Sequence, residues 1–220
     1  GSIGDIGCWS FCQDKIMTTG GEGGMVTTND KALWQKMWAY KDHGKSYDEV
    51  YNKSHPPGFR WLHESFGTNY RMTEMQAAIG RIQLTRMPQW SKARRENAEQ
   101  IRAVVRNFDL LKDFAPEEGL SHAYYKLYFY VDERKLKEGW SRDRIVEAVV
   151  SQGVPCYQGS CSEIYLEKAF ANTEFSQPRL PAAKKLGEIS VMLLVHPTLT
   201  PAEVSKTCTV LENVIRDAQI

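Results

Sequence analysis

The sequence has no surplus of either charge: 28 Lys and Arg stand against 27 Asp and Glu in 220 residues. That balance excludes bulk electrostatic attraction to nucleic acid or to an acidic membrane surface. No apolar run approaches the ~20 residues of a membrane span, and no signal-peptide pattern opens the chain. Cysteine is sparse and odd in number, five residues with no Cys-x-x-Cys pair. A disulfide framework is not expected, and a reducing, cytoplasmic compartment is. Cys8 and Cys12 have no His or Cys partner at zinc-ligand spacing, so no metal site is expected. There is no internal repeat and no low-complexity segment. Gly20-Gly21-Glu22-Gly23-Gly24 is not a Walker nucleotide loop, because no Gly-Lys-Ser/Thr follows it.

What is present is enough apolar material for a core, 42% hydrophobic with six Trp and ten Tyr, which favours a packed body over disorder. Lys15 stands out. The apolar run 6–11 leads into Ser10-Phe11-Cys12-Gln13-Asp14-Lys15, the glycines follow, and a second apolar run begins at Met25. Both runs read as buried strands. A lysine between them can be a solvated surface group. It can also be a nucleophile that forms a Schiff base with a carbonyl compound, with Ser10 and the loop amides holding a phosphate. Pyridoxal 5′-phosphate carries both an aldehyde and a phosphate.

Further along, Asn29-Asp30 caps a helix that carries Ala32, Leu33, Lys36, Met37 and Tyr40 and closes at Gly44. Residues 44–69 have no period. They are rich in aromatics (Tyr47, Tyr51, Phe59, Trp61) and contain His55 and His63, either ligands or solvated loop groups; so long a loop is usually functional. Thr73-Glu74-Met75-Gln76 is a capping box, and Met75, Ala78, Ile79 and Ile82 share a helix face. Pro88 is expected to interrupt that helix. A second helical stretch follows, with Trp90, Ala93, Asn97, Ile101, Val104 and Phe108 inward and Arg94, Arg95, Glu96, Glu99 and Arg102 on a solvated face. Residues 123–131 read as a strand, 141–152 as a helix, 189–195 as a strand, and Thr200-Pro201-Ala202-Glu203 as the cap of a last helix. This alternation suggests a small α/β domain on its own sheet.

Several segments gain meaning together. Gly1-Ser2-Ile3-Gly4-Asp5, Ser10-Phe11 with Lys15, Gly21-Glu22-Gly23-Gly24, Asp42-His43-Gly44 and Gly67-Thr68-Asn69-Tyr70-Arg71-Met72-Thr73-Glu74-Met75-Gln76-Ala77-Ala78 occur in this order. The set resembles the DegT/DnrJ/EryC1/StrS family of nucleotide-sugar aminotransferases. Leu180-Pro181-Ala182-Ala183 and His196-Pro197-Thr198-Leu199-Thr200 resemble that family's C-terminal segments.

The resemblance implies an α/β fold, the pyridoxal phosphate-dependent transferase fold type I. Residues 1–88 would be the end of the large cofactor-binding domain, with an interface loop at 44–69. Residues 89–220 would be a linking helix and the small C-terminal domain. It implies that Lys15 is catalytic and forms the Schiff base, that Ser10 binds the cofactor phosphate, and that Asn69 reaches that phosphate from the neighbouring subunit of a homodimer. Arg71 would meet the substrate's phosphates, and His43 would line the same cavity. The implied reaction moves an amino group, commonly from glutamate, to a keto group of a nucleotide-linked sugar, for surface polysaccharide or glycoside biosynthesis. Family members are longer at the N-terminus, where they carry the acid for the pyridine nitrogen and the ring that stacks on the cofactor. The chain is therefore expected to be a C-terminal portion, inactive by itself. The alternative is a non-catalytic assembly or sensing protein that keeps the fold, against which the intact Ser10, Lys15 and Asn69 count. A cysteine desulfurase of the same fold type would need a cysteine in a mobile loop, which is not evident. The pattern leaves open whether C3 or C4 of a sugar is aminated.

Overall fold

The computed structural model describes all residues except Phe59 and Ser176; Phe59, one of the expected loop aromatics, therefore lies outside the described residues. The chain divides into two compact units, Gly1–Met87 and Pro88–Ile220.

The first unit opens with an antiparallel pair, β1 (Gly7–Ser10) and β2 (Gly24–Thr27), in register Gly7↔Thr27 to Ser10↔Gly24. The expectation of buried strands does not hold. Trp9, Met25 and Val26 are 47%, 50% and 51% exposed, and among the described residues the sheet consists of these two strands. Helix α1 (Lys31–Lys41) begins at Asp30, whose carboxylate accepts from the amides of Ala32 and Leu33. The patternless loop contains a short helix, α2 (Tyr47–Tyr51), capped by Ser46. Its tyrosines meet α1 edge to face, with Tyr47 4.9 Å from Trp34 and 5.1 Å from Trp38. This aromatic cluster is what the loop's composition supplies.

Helix α3 (Glu74–Val105) runs through Pro88 without a break, contrary to expectation. Proline removes the bond to the carbonyl of Leu84, but Leu84 and Pro88 are both exposed, so water can satisfy that carbonyl. The apolar face read from the spacing is open, with Met75 77%, Ile79 40% and Ile82 56% exposed.

The second unit holds the hydrophobic core, from Ala98 to Ala218. Its four-stranded sheet has the order β3 (Leu111–Lys112), β4 (Leu127–Val131), β6 (Ser190–Leu193), β5 (Cys156–Tyr157), with every pairing antiparallel. Helix α4 (Arg142–Ser151) and helix α6 (Pro201–Ala218) contribute Ile145, Val149, Leu211 and Ile215 to the core, each fully buried. Thr200 and Glu203 close the capping box of α6. Helix α5 (Pro181–Ile189), with Pro181 in its first turn, was not anticipated.

Two differences in this unit share one cause. The strand expected from residue 123 begins only at Leu127. Tyr124 has φ +47°, and the carbonyls of Tyr124 and Tyr125 accept from Arg94 Nη1 at 3.1 and 3.0 Å. The left-handed backbone at Tyr124 interrupts the extended run, and the guanidinium engages the carbonyls there. Arg94 and Arg102 are correspondingly not on a solvated face; they are 7% and 6% exposed. A buried guanidinium needs acceptors, and α3 aims these two at the segment entering β4.

Candidate functional site

The turn carrying Lys15 is built by backbone contacts. β1 ends at Ser10; Phe11 is buried, donates its amide to Gly23 O at 2.8 Å, and accepts from the Thr19 amide at 3.2 Å and the Thr18 hydroxyl at 3.1 Å. Lys15 donates its amide to Cys12 O at 3.1 Å, closing a tight turn. Its Nζ lies 3.5 Å from Asp14 Oδ1, with 40% of the side chain exposed. Ser10 Oγ accepts from the Cys12 amide at 3.4 Å, so its own proton remains available to donate.

Three anchors of this turn were missed from sequence. Thr19, 1% exposed, donates its hydroxyl to Glu22 O at 3.1 Å. Gln76 Nε2 donates to the same carbonyl at 2.6 Å, while its Oε1 accepts from Thr73. Gln83 Oε1 accepts from the Thr18 amide at 2.8 Å. The capping box pointed to Gln76; Gln83 follows seven residues later on the same face of α3, which was the available signal.

A second group joins two motifs that are distant in sequence. Asp42 and Asn69 form an antiparallel bridge. His43 donates its amide to Thr68 O at 3.0 Å, Thr68 donates to Tyr40 O at 2.7 Å, and Tyr70 donates to Lys41 O at 3.0 Å. Gly44 and Gly67 permit this approach: a Cβ on Gly44 would lie 1.7 Å from Ser65 O, and one on Gly67 would lie 2.4 Å from Gly44 N. Arg71 then reaches all three neighbours. Its Nε donates to Asn69 Oδ1 at 3.1 Å, Nη1 to Asp42 Oδ1 at 3.2 Å and Nη2 to His43 Nε2 at 3.2 Å. A guanidinium cannot accept, so His43 Nε2 must, which places the ring proton on Nδ1. Asp42 was not anticipated as a site residue, although it stood in the Asp42-His43-Gly44 motif.

His43, Asn69 and Arg71 are thus brought together, and Ser10 and Lys15 share the other turn. Arg71 also lines a cavity of about 1030 Å³ in the first unit, with Trp9, Met25, Trp34, Trp38 and Tyr70. Ser10, Lys15, His43 and Asn69 are not among its lining residues. In the second unit a cavity of about 440 Å³ is lined by Arg142 and by residues including Gly159 and Cys161. Arg142 is occupied there structurally, donating from Nη1 to Gly187 O at 2.9 Å and Ser190 O at 2.6 Å. Cys161 is exposed, while Cys156, five residues earlier in β5, is buried. Among the described residues no cluster of His, Cys, Asp or Glu could hold a metal ion, and no helix is long and apolar enough to cross a membrane.

Residues 1–212 match the DegT/DnrJ/EryC1/StrS aminotransferase family. The chain belongs to that family. It is 28% identical over 221 aligned residues to the UDP-N-acetyl-3-dehydro-alpha-D-glucosamine 3-aminotransferase of Acidithiobacillus ferrooxidans, an alignment covering 98% of this chain and 52% of the relative. It is 30% identical to the GDP-perosamine synthase of Caulobacter vibrioides, covering 98% of this chain and 54% of the relative. Among solved structures, the aminotransferase from Psychrobacter cryohalolentis superposes with a TM-score of 0.94 at 58% identity, over 98% of this chain and 57% of that one. The mixed α/β structure therefore matches the aminotransferase fold. The chain spans about half the length of the curated relatives it matches.

The donor set fits pyridoxal phosphate in part. Lys15 offers an accessible amine on a fixed turn and Ser10 an available hydroxyl donor.

Proposed function

We propose that the chain is the C-terminal portion of a pyridoxal phosphate-dependent sugar aminotransferase. The enzyme moves an amino group, with glutamate as donor, to a keto group of a nucleotide-linked sugar for surface polysaccharide or glycoside biosynthesis in the cytoplasm. The observation that carries this reading is Lys15, an accessible amine on a tight turn after β1 in a chain of this family. The names of the UDP- and GDP-linked relatives support a nucleotide sugar as substrate.

Pyridoxal phosphate, when bound, supplies the electron sink for moving an amine between carbons. Lys15 Nζ would be the nucleophile that holds it, and would move a proton between the donor's α-carbon and the cofactor. Ser10 Oγ would donate to its phosphate. Asn69 Nδ2 would donate to the phosphate in the neighbouring subunit's site of a homodimer. Arg71 keeps two of its five N–H groups for the sugar nucleotide's phosphates, and His43, which does not line the cavity, acts through its bond to Arg71 Nη2. In this reading residues 1–88 close the large domain and residues 89–220 form the small one.

Pyridoxal phosphate followed by borohydride reduction and peptide mapping tests the assignment. In a longer protein that includes the residues preceding this chain, the label is expected on Lys15; a label elsewhere, or none, refutes the enzyme. The 220-residue chain alone is expected to be inactive and to bind the cofactor weakly. A strong visible cofactor band from it, lost in Lys15→Ala, would show that it needs no further residues.

A further inference from the structure

We propose that Asp42 and Arg71 form a positioning relay that fixes the side-chain amide of Asn69 with its Nδ2 turned outward as a donor. The proposal deepens the function above and rests on its reading of Asn69.

The amide of an asparagine has two orientations that exchange oxygen for nitrogen. At Asn69 the neighbours decide between them. Arg71 Nε–H points at Oδ1 from 3.1 Å, and the Arg71 backbone N–H lies 3.5 Å from the same atom. Both are donors, so the atom facing them must be the oxygen. Among the described residues Nδ2 donates to nothing, and Asn69 is exposed. Its two N–H groups are left open to an acceptor, which suits an anion.

Arg71 cannot hold that orientation unaided. Its side chain is 44% exposed, and a solvated arginine samples many rotamers at an entropic cost to any one. Asp42 supplies the hold. Its side chain is only 12% exposed, and it stands at the C-cap of α1 with its amide bonded to Ala39 O at 3.1 Å. The bridge to Asn69 fixes its distance from the residue it serves. Asp42 Oδ1 takes Arg71 Nη1 while His43 Nε2 takes Nη2, so the planar fork is held at both tips and Nε is left aimed at Asn69. Lys41 and Lys45 also approach the Asp42 carboxylate, at 3.3 and 3.8 Å. Asp42 could therefore serve merely to neutralise cations, and the test separates that role from the relay.

Side-chain ¹⁵N relaxation of Asn69 in the 220-residue chain reads the relay without any cofactor. An order parameter approaching the ~0.85 of rigid backbone is expected, falling below about 0.6 in Arg71→Ala and in Asp42→Ala. Asp42→Asn keeps an oxygen for Arg71 Nη1 and is expected to stay near the wild-type value. A purely neutralising role predicts that Asp42→Asn behaves like Asp42→Ala. Arg71→Lys keeps a cation opposite Asp42 but has no fork, and is expected to loosen Asn69 as well; it guards against an alanine variant that does not fold. An unchanged Asn69 amide in the Arg71 and Asp42→Ala variants, or equal loosening in Asp42→Asn and Asp42→Ala, overturns the relay. Failure of the enzyme reading shows separately, as absence of the borohydride label on Lys15.

Discussion

Arg102 and Asp113 meet at two points in the second unit, Nε to Oδ1 at 2.9 Å and Nη2 to Oδ2 at 2.8 Å, with side chains 7% and 10% exposed. The same guanidinium donates to Tyr124 Oη at 3.1 Å, so α3, the segment leading to β4 and the residue just after β3 share one charged group. Removing one member of such a pair strands the other charge away from water. Arg102→Ala is expected to destabilise the chain by about 3–5 kcal/mol in urea unfolding. A loss below about 1 kcal/mol, the range of solvated surface pairs, would show that water reaches Asp113.

Burial also sorts the cysteines. Cys156 lies in β5 at 3% exposure, and desolvation pushes its thiol up to about 12. Burial raises Cys208 as well, while Cys8 and Cys161 are exposed. Reactivity follows the thiolate and its access. Pulse alkylation of the native chain at pH ~8, an ordinary thiol's range, is expected to modify Cys8 and Cys161 first and to spare Cys156 until unfolding. Mass mapping that finds Cys156 alkylated as fast as Cys161 would contradict the placement of β5.

The legible parts of the sequence were those written in local chemistry. The caps at Asp30, Thr73 and Thr200 sit where their side chains bond the first turns. The alternation of Leu127, Phe129 and Val131 marks the inward face of β4. Apolar character by itself misled. β1, β2 and the Met75–Ile82 face of α3 have the composition of core but are half-open, since burial depends on what packs against an element and not on the element's own pattern. The arginines of α3 misled in the opposite sense, because a charge run says nothing about which guanidinium will find buried carbonyls. At the site, the motifs named Ser10, Lys15, His43, Asn69 and Arg71. That Arg71 touches Asn69, Asp42 and His43 at once is a tertiary fact, set by a backbone crossing between segments more than twenty residues apart.

His196 gives the second unit a pH dependence. Burial, and then the nearby Arg94 charge, lower its pKa below the ordinary 6.5, with Glu203 opposing them weakly. As pH falls past about 6.5 the unfolded chain takes up this proton before the folded one does, so stability falls with pH from there down to the folded pKa. The contribution is fully present above the ordinary value. His196→Gln is expected to flatten the stability curve between about pH 5 and 7, which urea titrations at several pH values would reveal. An unchanged slope would mean that His196 titrates alike in both states.

Gly44 is the position where the second site group is most exposed to a single methyl. Its φ is +85°, a conformation that costs a residue with a Cβ on the order of 1–3 kcal/mol. A Cβ there would also fall 1.7 Å from the carbonyl oxygen of Ser65 and 2.5 Å from its carbon, both backbone atoms. No side-chain rotation relieves that overlap, so the 65–69 segment must move away from residues 42–44. The bonds at risk are Glu64 and Ser65 amides to Gly44 O, at 2.9 and 3.2 Å, and His43 to Thr68 O. Gly44→Ala is therefore expected to cost more than the backbone strain alone, above about 3 kcal/mol, and to disturb the amide signals of Thr68, Asn69 and Arg71. Gly21 provides the control. It too has positive φ, +144°, but a Cβ there meets nothing within 4 Å, so Gly21→Ala should show the strain without the displacement. Equal effects of the two substitutions on Asn69 would mean that the crossing at Gly44 does not hold the site together.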